Sequence, residues 1–187
     1  MTAVEAEHLN DPVYWDLLKI IQRKYPSYDL EIRGGEYVIV SPHDLMSANV
    51  AIRIGELFNQ WVRPRKLGHC FDSNGGFKFP DGDMMAPDFT YVSRERLPVV
   101  PRSFAAVVPE LVVEVRSSSQ IKAATRNKLA SLVAKGADVG VYVDPLHRVV
   151  EIHRAGAEPI ILGDGDRFEV PDVLPGFGFV VDELWPE

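Results

Sequence analysis

Hydrophobic and polar positions along this chain follow two periods, and the switches between them mark its elements. Over residues 12–25, Val13, Leu17, Ile20 and Ile21 recur at helical spacing, with Asp11 placed as N-cap before Pro12 and Pro26 ending the run. Residues 30–41 (LEIRGGEYVIVS) hold two β-branched runs around Gly34 and Gly35, which predicts a tight hairpin or a bulged strand. The 3.6-residue period returns over 45–62 on Val50, Ile54, Leu57, Phe58 and Trp61, and Pro64 is expected to close that helix.

Strand patterns follow at 69–73, 76–79 and 88–92, separated by SNGG and PDGD turn chemistry. A polar, proline-bearing loop then runs to Glu110. Residues 110–116 (ELVVEVR) are almost continuously apolar, as in a strand at a sheet centre. Ser117 to Ser119 supply caps for a helix over 120–135, stopped by Gly136, and strands are expected at 139–143, 149–153 and 159–162. A strand, helix, strand unit places its two strands parallel, while the early hairpin and the late meander add antiparallel ones. The expected class is α/β, bordering on α+β, with one mixed sheet covered by helices. One domain is expected over 1–187: an N-terminal helical extension over 1–29, a core over 30–144 and C-terminal strands over 145–187.

Length and a hydrophobic content of 46% suit one sizeable core. A lone Cys70 forms no intramolecular disulfide and belongs to no CxxC motif. The N-terminus is polar and acidic, and no stretch approaches the roughly 18 apolar residues of a membrane span. A soluble, cytoplasmic protein is the expectation. The net charge of −7 argues against nucleic-acid binding by bulk electrostatics, though not against a nuclease whose acidity is partly a metal-binding cluster. Basic runs at Arg63, Arg65 and Lys66, and at Arg94, Arg96 and Arg102, have the ordinary reading of solvated surface. Neither GxSxG nor GxxxxGK[ST] nor HExxH occurs, and the five histidines lack ligand spacing.

Three charged residues stand on apolar ground. Glu114 shares a strand face with Val112 and Arg116, within a run so apolar that an unpaired carboxylate would cost several kcal/mol, in order-of-magnitude terms. Its partner is either an arginine such as Arg116 or a metal ion. Asp88 heads a strand after Pro87, where aspartate ordinarily bonds local amides; beside Glu114 it could instead converge on a hard cation such as Mg²⁺. Lys128 falls on the stripe of Ile121, Ala124, Leu129 and Leu132, so it either snorkels along the helix or sets its ammonium beside Glu114, where it could orient a water.

The ordered series Gly35-Glu36, Ser41-Pro42, the helix over 45–61, Phe71-Asp72-Ser73, Gly76 to Gly82, Pro87-Asp88, Glu114-Val115-Arg116-Ser117, Lys128, Asp144-Pro145 and Leu174 to Phe177 resembles the Uma-two family of the PD-(D/E)xK restriction-endonuclease-like superfamily. Each motif is weak alone; their order from about residue 30 to the C-terminus is more specific. The resemblance implies a restriction-endonuclease-like mixed sheet flanked by helices, with an added C-terminal antiparallel meander. It implies Asp88 and Glu114 as metal ligands, Lys128 as a migrated catalytic lysine, and Glu36 as a further acidic member. Arg116 takes the signature lysine position, to contact phosphate or neutralise Glu114. Many members carry a histidine shortly after the Ser-Pro, for which the resemblance gives Ser47 as the counterpart here, and Ser-Pro-Ser-Asp where this chain has Ser117-Ser118-Ser119-Gln120.

The leading expectation is a Mg²⁺-dependent endonuclease acting on DNA, with Mn²⁺ as a substitute ion held by Asp88, Glu114 and the Val115 carbonyl, and with Lys128 positioning the attacking water. The rival is a non-enzymatic homo-oligomeric module on the same fold with a decayed site. A glycosidase using Asp88 and Glu114 would leave Lys128 without a part.

Overall fold

The computed structural model describes residues 12–118 and 120–186. Helix α1 (Pro12–Lys24) buries Tyr14 and Ile21, two turns apart, against Leu30, Ile32 and Met84. The proposed cap Asp11 lies outside the described residues. Strands β1 (Asp29–Arg33) and β2 (Glu36–Val40) form the expected hairpin. Gly34 and Gly35 both take positive φ, +59° and +78°, as a two-residue hairpin turn requires.

Helix α2 (Leu45–Arg65) buries Val50, Ile54, Phe58 and Val62 as one stripe. It does not stop before Pro64, which sits inside its last turn. The missing N–H removes one ladder bond where the helix is already ending, and Lys66, at φ 55°, closes it in the left-handed conformation.

The central sheet orders as β10-β9-β8-β7-β6-β3, built from β3 (Gly68–Asp72), β6 (Phe89–Ser93), β7 (Leu111–Val115), β8 (Val139–Asp144), β9 (Val149–His153) and β10 (Ile160–Leu162). Only β7 and β8 run parallel in it, joined by helix α3 (Lys122–Ala134). Alternation along β7 sends Leu111, Val113 and Val115 into the core under α2, and Val112 into the core under α3 with Leu129, Leu132 and Tyr142. Helices thus cover both faces, as the mixed α/β reading anticipates.

Strand β4 (Phe77–Lys78) falls within the strand expected at 76–79. Three short pieces escape the sequence pattern: β5 (Met84–Met85), which with β4 extends the hairpin into a sheet ordered β2-β1-β5-β4, and the pair β11 (Arg167–Glu169) and β12 (Gly178–Val180). All three are too short to display a period. The C-terminal Phe168, Phe177, Phe179 and Trp185 join the α2-side core. Among the described residues no helix is long and apolar enough to cross a membrane.

Gly140 of β8 lies directly beneath α3, where an added Cβ would stand 2.7 Å from Val133 Cγ2 and 3.0 Å from Leu129 Cδ1. Gly140→Ala is therefore expected to destabilise the fold by about 1–3 kcal/mol through overpacking, read as a lower urea midpoint at unchanged slope.

Candidate active site

On the α3 side of the sheet Glu114 is 4% exposed, and its Oε1 lies 2.8 Å from the Lys128 ammonium. That oxygen is buried, and the Lys128 ammonium is its close polar neighbour. Burial drives the Glu114 carboxyl up to about 8, helped by the charges of Asp88 and Glu31 and opposed by Lys128. Burial lowers the Lys128 pKa, but Glu114, Glu31 and Asp88 outweigh it and hold the ammonium charged.

The same ammonium lies 3.3 Å from Oε1 of Glu31, a buried residue of β1. The Arg33 guanidinium donates to the other Glu31 oxygen at 2.6 Å, and the Ala86 amide donates to Oε1 at 3.1 Å. Asp88 precedes β6 and accepts the Val115 amide at 2.6 Å, which fixes it beside Glu114. Its other oxygen is 3.2 Å from His43 Nε2. The hydrogen bond to Asp88 raises the His43 pKa, against the desolvation that lowers it.

His43 is held there by the next residue. Asp44 caps α2 by accepting the Ser47 amide at 2.9 Å, and it also accepts Ser117 Oγ at 3.0 Å and the Ser118 amide at 2.6 Å. The expected serine cap of α3 is thereby corrected: α3 starts after Ile121 with no side-chain cap, because Ser117 and Ser118 serve Asp44 instead. Ser119 lies outside the described residues. Desolvation raises the Asp44 carboxyl, but the hydrogen bonds from Ser118, Ser47 and Ser117 outweigh it and hold it well below the usual range. Asp44→Ala is expected to cost about 1 kcal/mol or more at neutral pH. A carboxyl depressed in the folded state contributes fully above its unfolded value and loses that contribution as pH falls through its folded value. The gap between wild type and Asp44→Ala should accordingly hold at neutral pH and shrink below about pH 4, as measured by urea denaturation across pH.

Glu31, Arg33, His43, Asp88, Glu114 and Lys128 line a cleft of about 1350 Å³. That exceeds the roughly 300–1,000 Å³ of small-molecule pockets and suits a polymer. Its lining carries the carboxylates of Asp29, Glu31, Asp72, Asp88 and Glu114 against the cations Arg33 and Lys128. Among the described residues no three His, Cys, Asp or Glu side chains stand in a metal-binding group. A magnesium site needs only one or two carboxylates with water and phosphate oxygens, and Asp88, docked on the amide that follows Glu114, sets two buried carboxylates side by side. The donor set fits such an ion.

The sequence profile of the Uma2 family, described as "Putative restriction endonuclease", matches residues 15–182. This chain belongs to the Uma2 family. A protein described as "a putative nuclease belonging to DUF820", from Anabaena variabilis, shares its fold, with a TM-score of 0.72 at 18% identity over 83% of this chain and 89% of that one. The likeness to a chain of a DrdV–DNA complex solved by cryo-electron microscopy, with a TM-score of 0.35 at 12% identity over 64% and 88%, is too slight to carry an argument. No curated protein matches.

Three residue assignments drawn from the Uma2 resemblance are corrected by the structure. Glu36 is exposed at the tip of the hairpin, opposite Arg33 in register; the acidic residue of that hairpin that reaches Lys128 is Glu31. Both lie on the same face, so burial and not orientation separates them. Arg116 neutralises Asp144, with Nη1 3.3 Å from the carboxylate, and not Glu114. Ser47 is buried and donates to the Arg116 carbonyl at 2.9 Å, while the histidine at the site is His43, directly after Ser41-Pro42. That adjacency to the Ser-Pro pair was the available signal for His43. For Glu31 it was a carboxylate between two apolar residues, the same sign that marks Glu114.

Proposed function

We propose that this protein is a Mg²⁺-dependent endonuclease that hydrolyses DNA phosphodiester bonds, with Mn²⁺ able to replace Mg²⁺. The observation that carries the reading is the buried Glu114–Lys128 pair, with Asp88 docked on the amide of the residue after Glu114. Membership in a family described as "Putative restriction endonuclease" supports the same chemistry. So does the charge of the cleft. A phosphodiester would meet more carboxylates than cations there, so its entry needs a cation shared between protein and phosphate.

Asp88 and Glu114, with the Val115 carbonyl, are the groups that would hold the ion. When bound, Mg²⁺ polarises a phosphoryl oxygen and lowers the pKa of a water. The chain supplies the rest. Asp88 is kept in place by the Val115 amide on one oxygen and His43 on the other, in the manner of an outer shell that orients a ligand. Lys128 stays charged, so it acts as a donor and not as a base: it orients the attacking water and offsets the charge that develops on the phosphate. Glu31, fixed by Arg33 and the Ala86 amide, holds that ammonium together with Glu114.

The test is cleavage of supercoiled plasmid and of single-stranded oligonucleotides by purified protein. Nicking or linearisation with Mg²⁺ or Mn²⁺, abolished by a chelator and restored by added ion, is expected. Absence of cleavage with either ion on both substrates would overturn the proposal.

A further inference from the structure

A second cavity, of about 490 Å³, opens beside the active-site cleft between the turn that follows β3 and the loop over 94–110. We propose that it is a subsite for an unpaired nucleobase of a DNA strand lying in the cleft, an inference that rests on the nuclease reading above.

The two spaces adjoin, because Phe71, Asn74, Gly76 and Phe104 line both. Their relation to the reacting centre follows from strand register. Phe71 of β3 stands opposite Thr90 of β6, so its ring lies on the sheet face that carries Asp88 and Glu114. Asp88 is two residues from Thr90, about 7 Å along the strand. That is on the scale of the spacing between one nucleotide and the next, so a strand with its phosphate at Asp88 brings a neighbouring base to Phe71.

The walls suit such a base. Trp15, Phe71 and Phe104 are half-buried rings, and Trp15 and Phe104 sit 5.9 Å apart, tilted by 56°. Gly76 makes room for this arrangement: a Cβ there would fall 1.8 Å from the Phe104 ring, so any side chain would displace it. Stacking on aromatic faces is sequence-tolerant, since every base has a π-face. The Asn74 amide donates one hydrogen to Asp72 and the Ser103 hydroxyl donates to the Phe104 carbonyl, which leaves the Asn74 side-chain carbonyl and its second N–H, and the Ser103 oxygen as acceptor, for a base edge. Arg102, exposed on the same loop, has no carboxylate partner among the described residues. In a cleft rich in carboxylates it is a cation available to the flanking phosphate.

The experiment compares binding of a short oligothymidine with binding of an abasic phosphodiester strand of equal length, by fluorescence anisotropy with Ca²⁺ in place of Mg²⁺. Wild type is expected to favour the strand with bases by about tenfold or more, as stacking of a base or two provides. Phe104→Leu should erase that preference. Arg102→Gln should weaken both strands alike and lower the slope of log affinity against log salt by about 0.7. Equal affinity of wild type for the two strands, or no binding of either, overturns the subsite. If Phe104→Leu fails to fold by circular dichroism, the wild-type contrast and Arg102→Gln still decide. Binding needs no cleavage, so a wild type that prefers bases yet never cuts with Mg²⁺ or Mn²⁺ defeats the nuclease reading and leaves the subsite standing.

Discussion

Glu114→Gln is expected to lower Mg²⁺-dependent cleavage by on the order of a thousandfold while leaving the protein folded. A metal at a reacting phosphate supplies several kcal/mol of transition-state stabilisation, and each 1.4 kcal/mol or so is tenfold in rate. The amide keeps the shape of the carboxylate but gives up its charge. Stability should not suffer, because burial already works against the ionised form of Glu114. Lys128 retains Glu31 as a partner at 3.3 Å after the substitution. Cleavage within tenfold of wild type, together with an unaltered melting temperature, would remove Glu114 from the proposed site. Asp88→Asn should follow the same pattern, with calorimetric titration of Mg²⁺ or Mn²⁺ showing saturable binding in wild type and its loss in either variant.

Lys128→Met should have the largest effect on stability. Its ammonium is the shared counter-charge of Glu31 and Glu114, both buried, and Arg33 compensates only the first. Removing one member of a buried charge cluster costs about 3–5 kcal/mol, a large share of the roughly 5–15 kcal/mol that a folded domain has. For a chain of this size that corresponds to a fall in melting temperature of about 10 °C, or somewhat more. The pH dependence identifies the cause. Without the ammonium, Glu114 resists ionisation in the folded state still more, so its raised value favours folding at low pH and counts against it as pH rises. The deficit against wild type should therefore narrow as pH falls toward 4, and Glu114→Gln added to Lys128→Met should recover part of it at neutral pH. A deficit that does not change with pH would point to lost packing by the lysine stem instead.

The parts of the site that could be read from the chain are those where a charge interrupts a long apolar pattern. Glu114 interrupts ELVVEVR and Lys128 interrupts a helical stripe, and the structure places them 2.8 Å apart. Glu31 has the same character in a shorter frame. Leu30-Glu31-Ile32 reads as simple alternation with the glutamate toward water, and only the covering of both faces of β1 buries it. Glu36 shows the reverse error: position in a motif says which face a residue takes, but not how far along a hairpin the cleft extends. His43 lies in a loop without periodicity, so its place directly after Ser41-Pro42 is the one local mark it carries. The large sheet, its helices and β4 follow the expected pattern, while β5, β11 and β12 hold two or three residues each, below the length at which a period of two can be recognised.

Fourteen positions separate Glu114 from Lys128 within one strand, helix, strand unit, whereas Glu31 meets Lys128 across 97. Loop-closure entropy grows with the logarithm of that separation, so the longer contact costs about 1.7 kcal/mol more to form in an otherwise unfolded chain. The local half of the site can assemble early in folding, but the brace that fixes its ammonium arrives only when the N-terminal hairpin docks. A nascent or partly unfolded chain consequently holds Glu114 and Lys128 without the geometry to use them, which ties any hydrolytic capacity to completion of the fold.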